Sequence, residues 1–500
     1  MREQKSGLRR TPRAAARPAA ASREPADVPR RRPTPRLPAL ASFSDRDRWS
    51  ARRWAAELLL RADANEAFGP ALLAELPSTL SPEDRGLVHE LFAGVLRHRS
   101  ALDWRLAACS TRRWGMMTPA VQTILRLGAY QLLFLDRIPP HAAVHETVAL
   151  AKVMAQENDV GFTNAVLRAL ERRKDELKVP SLLDRPVDHL TAEFSHPVWL
   201  VRRWLKRFGL QRTLALCRAN NVIPPTTLRV NTLRTTRERL IDVLVKEGVV
   251  ATPCAVSPQC LILASGSPAA SRAFSQGWYY VQDEAAQLVG LAVAPRPGER
   301  ILDACAAPGG KSVHLAELMG DRGEIVAADA SEERIRLIAE NCRRLGVTSV
   351  RPVVADLSRA DVAASLGRFD RILVDAPCTA LGVLRRHPEA KWHKTEALIG
   401  RLVATQRAIL DAMAPLLKPG GVLVYATCST EREENEERVE AFLRSHPGWT
   451  VQDLRGALPP AAAPLITSQG YLSTVGNAFN MDHFFAARLT YAPAPGGPPA

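Results

Sequence analysis

From residue 281 onward, short apolar runs alternate with longer stretches of helical periodicity, and this alternation constrains the fold more than any other feature. The apolar runs are RILDA (300–304), EIVAAD (324–329), RPVVAD (351–356), RILVDAP (371–377) and GVLVYAT (421–427). Between them lie SVHLAELM, EERIRLIAENCRRLG, TEALIGRLVATQRAILDAMAPLL and EREENEERVEAFLRSH. Strands separated by helices pair in parallel and are covered on both faces, so an α/β domain with a parallel sheet is predicted. A last run, HFFAARLTY, is expected to add an antiparallel edge strand. Ligands of such sheets sit beyond the carboxyl ends of the strands. Here those ends carry Asp303 and Cys305, Asp329, Asp356, Asp375 and Cys378, then Cys428.

The turn DACAAPGGK (303–311) follows the first run directly. Pro308, Gly309 and Gly310 allow a tight bend in which backbone N–H groups approach a ligand closely. The turn opens a helix, whose N-terminal dipole favours an anionic group such as a carboxylate. Asp329 lies 20 residues beyond Gly309, at the end of the next strand. An acid there suits the ribose hydroxyls of a nucleotide-like cofactor. The turn is neither a G-x-x-x-x-G-K phosphate loop nor G-x-G-x-x-G.

Cys378 in VDAPC and Cys428 in VYATCS both follow strand candidates. Two thiols at ligand-facing strand ends read as a nucleophile and a helper around a bound cofactor. Pro377 fixes the backbone beside Cys378. Thr430 and Glu433 match a capping box, which predicts a helix N-terminus just after Cys428 and favours its thiolate. The acids Glu431, Glu433, Glu434, Glu436 and Glu437 oppose this, and the net sign is left open. Cys109, Cys217, Cys254, Cys260, Cys305 and Cys342 read as structural. So do His314 and His446. No C-x-x-C pair occurs, so reduced thiols in a cytoplasmic protein are expected, without a disulfide framework or a zinc site.

At 500 residues about three domains are expected. The net charge of +15 suggests a polyanionic partner. Residues 1–40 hold ten Arg and one Lys against Glu3, Glu24 and Asp27. Their seven prolines would break an amphipathic leader helix, so residues 1–47 read as a disordered basic tail. Residues 48–175 show apolar spacing of three and four throughout, which predicts an all-helical domain, with a helix start at Thr118-Pro119. Residues 176–280 begin with a charged, proline-punctuated stretch and continue as a small α+β module. Its helix VWLVRRWLKRFG either grips a phosphate backbone or packs with solvated charges. Residues 491–500 read as a second disordered tail. The most apolar run, VQTILRLGAYQLLFL, is too short and carries Arg126, so no membrane span is expected.

DACAAPGGK, VDAPC and ATCS, in this order, resemble the RNA cytosine-5 methyltransferases that use S-adenosylmethionine. VQDEAAQLVGLAVAPRPGERILDACAAPGGK and GVLRRHPEAKW are similar to the bacterial 16S ribosomal RNA branch of that family, the methyltransferase B (Sun) type. The resemblance covers about 48–490. It implies a NusB-like RNA-binding domain at 48–175 and a small RNA-binding module within 176–280. At 281–490 it implies a Rossmann-like class I methyltransferase domain. Cys305, Ala306, Ala307, Pro308, Gly309, Gly310 and Lys311 would surround the methionine part of S-adenosylmethionine. Asp329 would hold the ribose, Asp356 would lie by the adenine, and Asp375 would sit between cofactor and target base. Cys428 would attack C6 of the cytosine, Cys378 would help release the product, and Lys311 with Asp375 would contact the base.

The resemblance further implies 16S rRNA as partner, free or within a partly assembled small subunit, and a monomeric enzyme without metal. Alternatives are a tRNA cytosine-5 methyltransferase and a non-catalytic RNA-binding assembly factor. Three departures stand out. Thr379-Ala380 replaces the usual Ser-Gly, Ser312 replaces Thr, and MDHFFAARL replaces a GFF-type ending.

Overall fold

The computed structural model describes residues 49–64, 69–266, 268, 271–476 and 479–492. The basic tail at 1–47 and the last eight residues lie outside the described residues. No described helix is long and apolar enough to cross a membrane.

The first layer is helical: α1 (Ala51–Asp63), α2 (Gly69–Ala74), α3 (Pro82–Arg97), α4 (Arg99–Cys109), α5 (Pro119–Phe134), α6 (Pro140–Met154) and α7 (Glu157–Arg173). Ser50, Ser81 and Thr118 cap α1, α3 and α5 by accepting from the backbone N–H of the third residue of each helix, and Pro82 and Pro119 follow two of the caps. The run read as too polar for a membrane is α5, buried along most of its length. Its Arg126 is tolerated because Asp103 takes it in two bonds of 2.7 and 2.9 Å.

The charged, proline-punctuated stretch at the start of 176–280 holds a helix, α8 (Pro186–Phe194). Leu190 and Ala192 are buried in it, so tertiary packing supplies what its weak periodicity does not. The basic helix α9 (Val198–Asn221) follows, interrupted at Gly209, where φ is +72°.

A four-stranded antiparallel sheet comes next, made of β1 (Thr226–Val230), β2 (Val250–Pro253), β3 (Cys260–Ser265) and β4 (Tyr279–Val281) in the order β2-β3-β1-β4. Helix α10 (Arg237–Lys246) packs its Leu240 and Leu244 into this module's core. The expectation that all thiols are reduced is not met here. Cys254 and Cys260 form a disulfide, with Cα atoms 5.2 Å apart. The connection between β2 and β3 turns tightly enough to bring them together, its ends tied by the 3.0 Å bond from Cys254 N to Cys260 O. Neither position is in a C-x-x-C pattern, which is why the sequence carried no sign of the pairing. A carboxylate oxygen of Glu284 lies within 4.8 Å of both sulfurs. Its Oε1 already accepts bonds of 2.8 Å from Val256 N and Ser257 N.

The main sheet contains β5 (Arg300–Ala304), β6 (Glu324–Asp329), β7 (Val350–Val354), β8 (Phe369–Asp375), β9 (Leu417–Thr427), β10 (Trp449–Gln452), β11 (Leu472–Ser473) and β12 (Phe485–Tyr491). Its order is β10-β12-β9-β8-β5-β6-β7, with β11 also paired to β12. Strands β5 to β9 pair in parallel, as the alternation predicts. Their runs are apolar without alternation because helices cover both faces. Ile301, Leu302, Ile325, Val326, Ile372, Leu373, Leu423 and Val424 are buried.

Strand β12 is antiparallel to β9 as expected, but it is not the edge, because β10 pairs along its other side. Tyr491, assigned to the terminal tail, is the last residue of β12. The chain runs from β5 outward to β6 and β7, then returns to the other side of β5 with β8. This reversal opens a crevice beyond the carboxyl ends of β5 and β8, the place where such sheets bind ligands.

Candidate active site

The turn after β5 leads into helix α11 (Gly310–Leu318). Gly309 has φ of +97°, a left-handed conformation that costs L side chains energy. A Cβ on Gly310 would stand 2.7 Å from the Tyr280 ring, so this backbone has room for nothing larger. Asp329 ends β6 and is buried. Its carboxylate accepts from Ala307 N at 3.2 Å and Ser331 N at 3.0 Å, and Arg334 lies 3.4 Å away. Asp356, after β7, is exposed and turned onto Ser358, whose N and Oγ both donate to it.

Asp303 is fully buried, and Ser312 Oγ donates to its Oδ2 at 2.6 Å. Burial pushes its pKa up to about 7, against the bond from Ser312. Its Oδ1 is buried with no hydrogen-bond partner among the described residues. Burial first, then Asp375, Asp329 and Asp303, push the Cys305 thiol up to about 12, so it is protonated at neutral pH. These features fit a bound S-adenosylmethionine. There is a glycine cradle against a helix N-terminus, a buried acid at the next strand end, and acidic groups that suit a positively charged sulfur.

The small antiparallel module reaches into this loop. Arg229 of β1 is fully buried and donates from Nη1 to Gly310 O at 2.6 Å. It also pairs in two bonds, 2.9 and 3.0 Å, with the equally buried Glu317 of α11. Sequence reasoning missed this residue. The available signal was an Arg in the middle of the apolar strand TTLRV, a position that demands a buried partner.

The two cysteines come together. Cys378 and Cys428, 50 residues apart, have sulfurs at 3.4 Å, because β8 and β9 are neighbours and both thiols lie just past their carboxyl ends. Lys311 Nζ meets Asp375 Oδ2 at 2.6 Å in the same crevice. Burial works against the Lys311 ammonium, but Asp375 more than offsets it and its pKa is raised. The Cys378 thiol is held well above its usual pKa, first by its hydrogen bond with Cys428, then by burial.

Behind the thiols, Glu434 is fully buried and joins the two loops. It accepts from Thr379 N at 2.9 Å, Thr379 Oγ1 at 2.5 Å, Gln406 Nε2 at 3.1 Å and Ser429 Oγ. Thr379 therefore supplies the hydroxyl that Ser would supply. Ala380, at the usual Gly position, has φ of +56°. Gly382 N donates to Cys428 O at 2.9 Å, and a Cβ there would stand 2.2 Å from His483 O. The variant ending MDHFF contributes as well: Asp482 takes Arg385 and Arg386, both at 2.5 Å.

The capping box does not form. The helix after Cys428, α12 (Glu436–Ser445), starts five residues later than that box requires. Thr430 donates instead to Glu431, and Glu433 pairs with Arg203 at 2.7 Å. Helix α9 dictates this. Arg203 also binds Glu431 at 2.7 Å and Glu396 at 2.9 Å, Trp204 Nε1 donates to Glu431, and Arg207 reaches Thr430 O and Glu436. Two arginines of the basic helix thus neutralise three of the acids expected to oppose the Cys428 thiolate, Glu431, Glu433 and Glu436, but not Glu434. No helix N-terminus stands at Cys428 to favour its thiolate. His314 is buried, with Nε2 2.6 Å from Gln259 Oε1, and His446 stacks on Phe442.

Three family models match the chain: the NusB family over residues 50–172, a ferredoxin-like domain of the RsmF/B-like methyltransferases over 196–270, and 16S rRNA methyltransferase RsmB/F over 290–490. Among curated relatives, the chain is 37% identical over 445 residues to the probable ribosomal RNA small subunit methyltransferase B of Bacillus subtilis. That match covers 88% of this chain and 98% of the relative. It is 38% identical over 429 residues to ribosomal RNA small subunit methyltransferase B of Citrobacter koseri, covering 84% and 93%. Among solved structures, the protein PH0851 superposes with a TM-score of 0.72 at 26% identity, covering 88% of this chain and 99% of that one.

Proposed function

The chain belongs to the family of ribosomal RNA small subunit methyltransferase B, and on that premise we propose that it methylates C5 of a cytosine in 16S rRNA through a covalent cysteine adduct. S-adenosylmethionine, when bound, supplies an electrophilic methyl group. Residues 305–311 and Asp329 would hold it, Asp356 would lie toward its adenine, and Asp375 would stand between it and the base. The Cys428 thiolate adds to C6 of the cytosine, which makes C5 an enamine carbon able to accept the methyl. The C5 proton is then lost, the C6–S bond breaks, and Cys428 returns as thiolate while Cys378 assists this release. Lys311, charged and paired with Asp375, is set to polarise the base from the same crevice. The target base must leave any stack to reach the thiols.

The observation that carries this reading is the 3.4 Å approach of the two sulfurs beyond the β8–β9 pair, beside the Lys311–Asp375 pair. Purified protein, labelled S-adenosylmethionine and unmodified 16S rRNA are expected to yield 5-methylcytosine, with tRNA as a parallel substrate. Cys428→Ala should lower turnover by about a thousandfold or more while leaving the fold intact. Cys378→Ala should accumulate a protein–RNA adduct stable to denaturant. Full activity in Cys428→Ala would exclude the mechanism, and preferential methylation of tRNA would move the substrate.

A further inference from the structure

The two thiols are nearly equivalent by position, yet the proposed chemistry asks one to attack and the other to assist. Their surroundings differ. Lys311 lies on the Cys428 side, close enough for the Cys428 charge to favour its ammonium. Glu434 lies on the Cys378 side, bonded to the N–H and hydroxyl of the very next residue, Thr379. The same carboxylate takes the hydroxyl of Ser429, the residue after Cys428. Gln406 Nε2 bridges Glu434 to Pro377 O at 2.9 Å, and Tyr425 OH donates to Glu434 O at 2.6 Å. A single buried side chain therefore fixes both residues that flank the reacting sulfurs.

We propose that Glu434 is a positioning residue that divides the labour of the two cysteines, holding both loops in one frame and keeping Cys378 as the S–H donor to the Cys428 sulfur. The groups that face Cys378 are Cys428, Glu434 and Tyr425, with Lys311 beyond Cys428. Of the three nearest, Glu434 is the carboxylate, and negative charge there disfavours a Cys378 thiolate. A thiol that stays protonated can hydrogen-bond to the sulfur leaving C6. One that ionised would compete with Cys428 for the base. The proposal rests on the reading of Cys428 as nucleophile.

The test uses Glu434→Gln in the full-length protein, with two readouts. In the absence of RNA, iodoacetamide alkylation of each cysteine is followed by mass spectrometry across pH. Glu434→Gln should shift the Cys378 alkylation profile to lower pH, each unit being about tenfold in thiolate at a fixed alkaline pH. With RNA, the variant should form the adduct within about threefold of the wild-type rate yet release it about tenfold more slowly or worse, which separates the two steps. Thermal melting reports folding. A folded Glu434→Gln with wild-type alkylation and release overturns the proposal. Should that variant not fold, Thr379→Val removes one bond to the same carboxylate, and unchanged release and alkylation there overturn it equally. The alkylation arm needs no substrate, so it stands or falls apart from the choice of RNA, and Cys428→Ala tests the nucleophile separately.

Discussion

Ala380 sits one residue past Thr379 in a left-handed conformation that glycine adopts freely. Ala380→Gly should relieve about 1 kcal/mol of local strain, offset in part by the greater entropy of the unfolded chain. A denaturant melt would read this as a small rise or no change, and a clear loss of stability would contradict it. Gly382 behaves oppositely. Its Cβ would meet His483 O and, at 2.8 Å, Cys428 O. Both obstacles are backbone, so Gly382→Ala is expected to cost about 1–3 kcal/mol and displace Cys428. Asp303 gives a pH dependence. Its folded pKa of about 7 lies above the unfolded value, so the folded state binds the extra proton between about pH 4 and 7. Stability should therefore fall as pH rises through this window. Asp303→Asn keeps an acceptor for Ser312 and removes the titration, so the difference in denaturation midpoint between pH 5 and 8 should shrink.

At the scale of elements, helix α9 changes meaning between sequence and structure. Its arginines suggested either a grip on RNA or a solvated face. Arg203 and Arg207 do neither, since each is committed to the acidic turn that follows Cys428. Arg203→Ala would leave Glu431, itself buried, without its ion-pair partner. Removing one partner of a buried pair costs about 3–5 kcal/mol, and the partial exposure of Arg203 reduces this to about 1–2. The expected result is a lower melting temperature together with slower methyl transfer, because the turn that loosens also carries Glu434. Loss of RNA affinity alone, with turnover kept at saturating RNA, would indicate instead that Arg203 contacts the nucleic acid.

At the scale of the whole molecule, the methyltransferase domain is completed by the segments before it. Arg229 closes over the glycine loop from the small module. The segment after Cys378 runs to the helical layer and to α9: Trp392 Nε1 donates to Leu96 O at 2.8 Å, and Lys391 Nζ donates to Arg97 O at 3.3 Å and Asn221 Oδ1 at 2.7 Å. Burial lowers the Lys391 pKa to about 7. A chain beginning at residue 281 would lose Arg229, Arg203 and Arg207, strip Glu317 and Glu431 of their ion pairs, and uncover Leu381 and Leu384, which pack against α9. It should express poorly or melt well below a chain beginning at 49, as thermal denaturation of the two would reveal.

The sequence by itself determined the parallel sheet, the helical first layer and the collection of acids and thiols at one sheet edge. These follow from periodicity and strand ends, which are local properties. It also carried a family resemblance strong enough to single out Cys378 and Cys428 by motif. The tertiary structure alone decided the 3.4 Å approach of those sulfurs, the hydrogen bonds that tie Glu434 to both loops behind them, and the Arg229 and Arg203 contacts that span 88 and 228 residues. It also overruled two local signals. The capping box at Thr430 yielded to arginines from another element, and the thiols of Cys254 and Cys260, expected free, were joined by a hairpin turn. A buried charge takes whichever partner the fold delivers, and no window of neighbouring residues contains that partner.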